Sequence, residues 1–185
     1  MHKTLHIGVE THALRLSRTS QGALRHHDRY DIIAFTSKNA RRFFDDQLIR
    51  MGVALPTKNR VLHVGPREDV LKHAIDDKRI LFPRSDIAPA DILDKLRARG
   101  AVVRSVPLYT AIGKRLSSQV RKTLTAGAYD SLYFKSPSGV SGLLRQFRGK
   151  ARQDILKLEA ICIGDTTAAA ARAGGFKKVS IKGIL

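Results

Sequence analysis

One pattern returns in this chain at a fixed interval, and it restricts the fold more than any other feature. Tyr30-Asp31-Ile32-Ile33-Ala34-Phe35-Thr36-Ser37 is followed 99 residues later by Tyr129-Asp130-Ser131-Leu132-Tyr133-Phe134-Lys135-Ser136. Val61-Leu62-His63-Val64-Gly65 returns at the same spacing of 99 as Ala160-Ile161-Cys162-Ile163-Gly164. Two separate motifs holding one spacing are hard to get by chance. Each is a short apolar run that ends in small or hydroxyl residues and leads into a helical pattern, the mark of a buried strand feeding a helix. The chain is read as two similar α/β units in tandem. Two such lobes would enclose a cleft.

In chain order, residues 4–10 alternate Leu5, Ile7 and Val9 with polar neighbours and predict a half-exposed strand. Residues 11–29 are polar, with a weak helical pattern. The first unit then reads as strand 31–36, helix 39–51 with Phe43, Phe44 and Leu48 inward, and a stop at Gly52. Strand 60–64, helix 67–76, strand 79–82 and helix 89–99 follow, the last carrying Ile92, Leu93 and Leu96 on its apolar face. After Gly100 come strand 101–106 and a second extended crossing at 107–112. The later unit reads as helix 117–125, strand 130–135, helix 137–146, strand 159–163, helix 165–173 and strand 177–181. Alternation of this kind predicts parallel sheets flanked by helices.

Composition narrows the classes. Hydrophobic residues make up 43% of 185, enough to bury real cores. No stretch approaches the roughly 18 apolar residues of a membrane span, and the start lacks the apolar run of a signal peptide. Cys162 is the only cysteine, so no disulfide can form within the chain, and the cytoplasm is the expected compartment. Lysine and arginine number 34 against 16 acids, a formal charge of +18 spread along the chain. Nucleic acid, a polycarboxylate or phosphate ligand, and a compositional bias would each account for it. No zinc-finger spacing, aromatic RNA-binding strand or tryptophan favours the first.

Ligands of open parallel sheets collect beyond the carboxyl ends of the strands, where helix N-termini offer unpaired N–H groups and partial positive charge. The residues there are Thr36, Ser37, Gly65, Arg84, Ser85, Ser136, Pro137, Ser138, Gly164, Asp165, Thr166 and Thr167. Any one serine or threonine in that position is an ordinary N-cap. Their number at the ends facing one cleft is what suggests a ligand surface. His26-His27-Asp28 reads as solvated loop, because adjacent histidines diverge and no second ligand pair has suitable spacing. No nucleophile elbow, dinucleotide loop or P-loop is present.

Four segments, in order, resemble uroporphyrinogen-III synthase. They are Leu81-Phe82-Pro83-Arg84-Ser85-Asp86-Ile87-Ala88 with its continuation through Leu93, Leu96, Gly100, Val103, Val106 and Tyr109; Ile33 to Ala40; Tyr133 to Val140; and Ala160 to Ala168. The resemblance implies two flavodoxin-like parallel-sheet lobes joined by a two-stranded connector, the terminal lobe incomplete. On that basis residues 1–28 hold a connector strand and polar lead-in. Residues 29–106 are the inserted lobe, 107–113 the return connector, and 114–185 the shortened terminal lobe. Set against the family pattern, the terminal lobe is expected to lack its opening strand and helix and its final helix. One helix replaces a strand-helix unit between Gly65 and Leu81, Glu68 stands at a threonine position, and Ala111 replaces a connector threonine.

The resemblance further implies conversion of hydroxymethylbilane into uroporphyrinogen III with inversion of ring D, without metal or cofactor. The substrate's eight carboxylates agree with a basic surface of helix N-termini. Tyr109 is the implied catalytic residue, helping the terminal hydroxyl leave. Thr36, Ser37, Gly65, Arg84, Ser85, Ser136, Ser138, Gly164, Thr166 and Thr167 are the implied substrate-binding set. A monomer is expected. A basic nucleic-acid-binding protein and a relative without turnover are the alternatives.

Overall fold

The protein is described by a computed structural model covering residues 2–57, 60–63 and 67–183. It divides into two compact units, one formed by Met1–Glu10 with Ala111–Leu185 and the other by Thr11–Thr110. The first is called the terminal lobe and the second the inserted lobe.

Strands β1 (Thr4–Ile7) and β2 (Val9–Ala13) open the chain, followed by α1 (Arg18–Arg25), β3 (Ile32–Phe35) and α2 (Lys38–Arg50). Then come β4 (Val61–His63), β5 (Arg79–Ser85), α3 (Asp91–Ala98) and the long β6 (Val102–Gly113). The chain ends with α4 (Ser118–Thr125), β7 (Ser131–Phe134), α5 (Pro137–Leu144), α6 (Gly149–Leu156), β8 (Glu159–Cys162), α7 (Asp165–Gly174) and β9 (Lys178–Ile181).

The inserted lobe's sheet has the order β2-β6-β5-β3-β4, and the terminal lobe's sheet β1-β7-β8-β9, five strands against four. Every pairing from β6 through β4 and throughout the terminal sheet is parallel. β2 runs against β6: Leu14 N–H donates to Leu108 O at 2.9 Å, and Lys114 N–H donates to Gly8 O at 2.9 Å.

The repeat survives as register. Ile33 pairs with Val61 and Phe35 with His63; in the terminal lobe Leu132 pairs with Ala160 and Phe134 with Cys162, each residue 99 later. Ser37 caps α2 by accepting from Ala40 N, and Ser136 caps α5 by accepting from Gly139 N. Two aspartates at the same spacing fasten the strand on the other side. Asp31 Oδ2 accepts from Arg79 N at 2.8 Å at the start of β5, and Asp130 Oδ2 accepts from Lys3 N at 2.7 Å ahead of β1. β5 and β1 therefore occupy equivalent places, although one follows its partner in the chain and the other precedes it.

Alternation along the strands divides the inserted lobe's core in two. Ile33, Phe35 and Leu81 face the layer holding Phe43, Phe44 and Leu48 of α2, while Ala34, Ile80 and Phe82 face Ile92, Leu93 and Leu96 of α3. Phe44 and Leu48 are fully buried, each contributing about 1.5–3 kcal/mol. The terminal lobe's core gathers Ile7, Leu132, Phe134, Val140, Leu143, Ala160, Cys162 and Ala168. Gly113, at the end of β6, lies against α5 so closely that a Cβ there would stand 2.5 Å from Gly142 Cα and 2.9 Å from Ser138 O.

Several sequence expectations are corrected. Residues 4–10 do not form one connector strand: Gly8 divides them, so β1 is a full member of the terminal sheet, paired from Thr4 with Ser131 to Ile7 with Phe134. The place of an opening strand beside β7 is thus filled. The two crossings expected at 101–106 and 107–112 are one strand, β6. The compact units part at 10/11 and 110/111, and α1 buries Ala23 and Leu24 in the inserted lobe's core. The helix expected at 67–76 is a 3-10 segment, Arg67–Lys72. α6 was not foreseen. Gly65, which ends the first copy of the second repeated motif, lies outside the described residues.

Candidate active site

Tyr109 sits where β6 passes the carboxyl end of β5. The register there skips a residue, from Arg84 opposite Pro107 to Ser85 opposite Tyr109, a bulge that re-aims the side chain. Only 6% of Tyr109 is exposed, and its ring stacks on Phe43 of α2 at 4.8 Å between centroids and 9° between planes. The Arg42 guanidinium lies 4.7 Å from the Phe43 centroid and donates to Thr11 Oγ1 at 3.0 Å. The phenol is therefore held in one orientation by aromatic packing.

The phenol oxygen is 3.0 Å from Ser37 Oγ. Ser37 Oγ also accepts from Ala40 N at 3.0 Å, which fixes the hydroxyl at the α2 N-terminus. A serine hydroxyl has one proton to give. When Ser37 directs it at Tyr109, the phenol O–H is left to donate to a ligand; when Tyr109 donates, the phenol keeps only lone pairs. The pair can thus present either a donor or an acceptor at one point.

Ser85 is buried beside this pair, its hydroxyl 3.4 Å from Asp86 Oδ1, which also accepts from Ile87 N at 2.7 Å. Asp86 N–H in turn donates to Tyr109 O at 3.0 Å, and Arg84 Nε donates to Ser85 O at 3.1 Å. Ser37, Ser85 and Tyr109 are brought to one end of the inserted lobe's sheet, with half-buried Thr36 just ahead of Ser37. Sequence reading missed Phe43 and Asp86 as members of this group. Phe43 was legible as an inward helix residue, but its partner was not; Asp86 follows Ser85 directly, inside the run that carries the family resemblance.

The terminal lobe carries its own set at the ends of β7 and β8. Ser136 Oγ accepts from Gly139 N at 3.3 Å and lies 2.9 Å from Ser138 Oγ. Gly164 caps α7 through its carbonyl, which accepts from Thr167 N at 3.1 Å and Ala168 N at 3.0 Å. Thr166 is exposed and Thr167 is 3% exposed. Thr167 makes no side-chain hydrogen bond among the described residues. α2 and α5 carry no acidic residue in the first turn, whereas α7 carries Asp165. An anionic ligand group is therefore better accommodated at the first two N-termini than at the third.

Asp31 and Cys162 are among the ionisable groups perturbed for local reasons. The Arg79 backbone N–H beside Asp31 holds its carboxyl below the ordinary value. Burial pushes the Cys162 thiol up. Among the described residues no group of three or more His, Cys, Asp or Glu is placed to hold a metal, and no helix is long and apolar enough to cross a membrane.

The family model of uroporphyrinogen-III synthase HemD matches residues 68–182. Among solved structures, uroporphyrinogen-III synthetase of Helicobacter pylori is similar at 17% identity and a TM-score of 0.60, over 98% of this chain and 92% of that one. A mutant uroporphyrinogen III synthase of Thermus thermophilus is similar at 18% identity and a TM-score of 0.58, over 93% of this chain and 80% of that one. At such identities the structural likeness establishes the fold. No curated protein sequence matches the chain.

Proposed function

The chain belongs to the uroporphyrinogen-III synthase family, and from that premise we propose that it turns over hydroxymethylbilane to uroporphyrinogen III. The observation that supports a catalytic role within this chain is the Tyr109–Ser37 hydroxyl pair at the end of the inserted lobe's sheet.

In this reading the Tyr109 phenol donates to the terminal hydroxyl of the substrate as its C–O bond breaks, so that the hydroxyl leaves as water and an azafulvenium cation remains. The cation is attacked by the substituted carbon of ring D, giving a spiro intermediate. Fragmentation and reclosure at the other position invert the ring, and the proton lost on closure returns to the phenolate. The reaction is a net dehydration. Because the free substrate closes without inversion, the main contribution of the protein is to hold one conformation. Ser37 with the α2 N-terminus, and Ser136 and Ser138 with the α5 N-terminus, accommodate acetate and propionate arms. Thr36, Ser85, Arg84, Gly164, Thr166 and Thr167 complete the set, and Gly65 belongs to it by its place in the sequence.

The protein works as a monomer in the cytoplasm, where Cys162 stays reduced. Incubation of the purified protein with hydroxymethylbilane tests the proposal: type III isomer in excess of type I supports it, and type I alone contradicts it.

A further inference from the structure

A concave site lies in the terminal lobe, on the flank formed by the exit of β6, α4 and α5. A pocket of about 440 Å³ is lined there by Ile112, Gly113, Arg115, Arg121, Gly142, Arg145 and Gln146. From residue 114 to 152 the sequence holds nine lysines and arginines and one acid, Asp130.

The floor of this pocket is fixed. Gly113 and Gly142 meet backbone to backbone. The Gln146 side chain ties the strand exit to α5, accepting from Leu116 N at 2.8 Å and donating to Lys114 O and Gly142 O at 3.0 Å each. The Gln146 amide is thus spent on backbone and has no proton left for a ligand. Arg121 is held in place, donating to Gln146 O at 3.3 Å with its guanidinium 5.5 Å from the Phe147 centroid. Arg115 and Arg145 are exposed, and neither makes an ion pair or side-chain hydrogen bond among the described residues. Three guanidinium groups with no lining carboxylate therefore address one fixed hollow. Like charges brought together without a counter-charge repel, and an anion relieves that repulsion while accepting forked hydrogen bonds.

We infer that this pocket binds a small polyanion, through a phosphate group or paired carboxylates, at a site separate from the strand ends. The inference is independent of catalysis. Arg115 and Arg145 form the forks, Arg121 sits behind them, and the Gly113–Gly142 contact keeps the hollow open where larger residues would fill it.

The test is titration of the full chain with pyrophosphate and, separately, with citrate at constant ionic strength. Calorimetry would be run on wild type, Arg115→Gln, Arg145→Gln and, as a charge-matched control outside the pocket, Lys178→Gln. Saturable binding is expected, weakened roughly tenfold by either arginine change and unaltered in the control. Preference for pyrophosphate assigns a phosphate ligand, and preference for citrate a carboxylate one. Absence of saturable binding, equal weakening in all three variants, or binding seen only with an RNA oligonucleotide that neither small anion displaces would overturn the inference.

Discussion

The Tyr109 phenol oxygen and the Ser37 hydroxyl lie 3.0 Å apart, joining β6 to the N-terminus of α2. Removing the phenol oxygen breaks this bond but leaves the ring stacked on Phe43. Tyr109→Phe is therefore expected to unfold close to the wild-type denaturant midpoint while turning over more slowly. A partial loss is expected, because conformation supplies most of the isomer discrimination. A variant with full rate would remove Tyr109 from the mechanism.

Ser37 has two tasks, and its substitution should show both. Ser37→Ala removes the α2 cap, costing about 1 kcal/mol, and also frees the phenol. Ser136→Ala removes the corresponding cap of α5 at similar cost without touching Tyr109. Urea denaturation should show both losses, and only Ser37→Ala should change the rate at saturating substrate.

Thr167 is buried and without a side-chain partner among the described residues, so Thr167→Val should leave stability little changed. If its hydroxyl holds a substrate carboxylate, binding weakens by roughly 1.5–3 kcal/mol. A substrate affinity equal to wild type would leave Thr167 a packing residue.

The Asp31 clamp gives a pH dependence of defined sign. Its carboxyl titrates below the ordinary value of 3.8, chiefly through the Arg79 backbone N–H. A depressed carboxylate contributes stability above its unfolded pKa and loses it as pH falls through the folded one. Asp31→Asn keeps an accepting oxygen but not the charge. Its denaturation midpoint should fall below wild type at pH 7, and the gap should close as the solution is acidified below about 3.8. A gap that persists in acid would assign the effect to packing.

How much of this was legible in the sequence follows from periodicity. Strands such as Ile32–Phe35 and Ser131–Phe134, apolar and followed by a capping serine, were placed nearly to the residue. α6 was missed because Arg148, Lys150, Arg152, Asp154 and Lys157 leave it only Ala151, Ile155 and Leu156 as an apolar stripe, and Gly149 opens it. The division of residues 4–10 was hidden because Leu5, Ile7 and Val9 alternate straight through Gly8, and pairing partners are not written in alternation. Ser37 and Ser136 were legible as strand-end N-caps. The Phe43–Tyr109 stack was not, since it depends on a bulge between Arg84 and Ser85 that no local pattern announces.

The central claim is that this chain directs ring closure with inversion. It is tested most directly by incubating wild-type protein with freshly generated hydroxymethylbilane and resolving the uroporphyrinogen isomers by chromatography. The account predicts type III in excess, falling toward type I in Tyr109→Phe as uncatalysed closure competes. Type I alone from folded wild-type protein, at the ratio given by buffer, would contradict it.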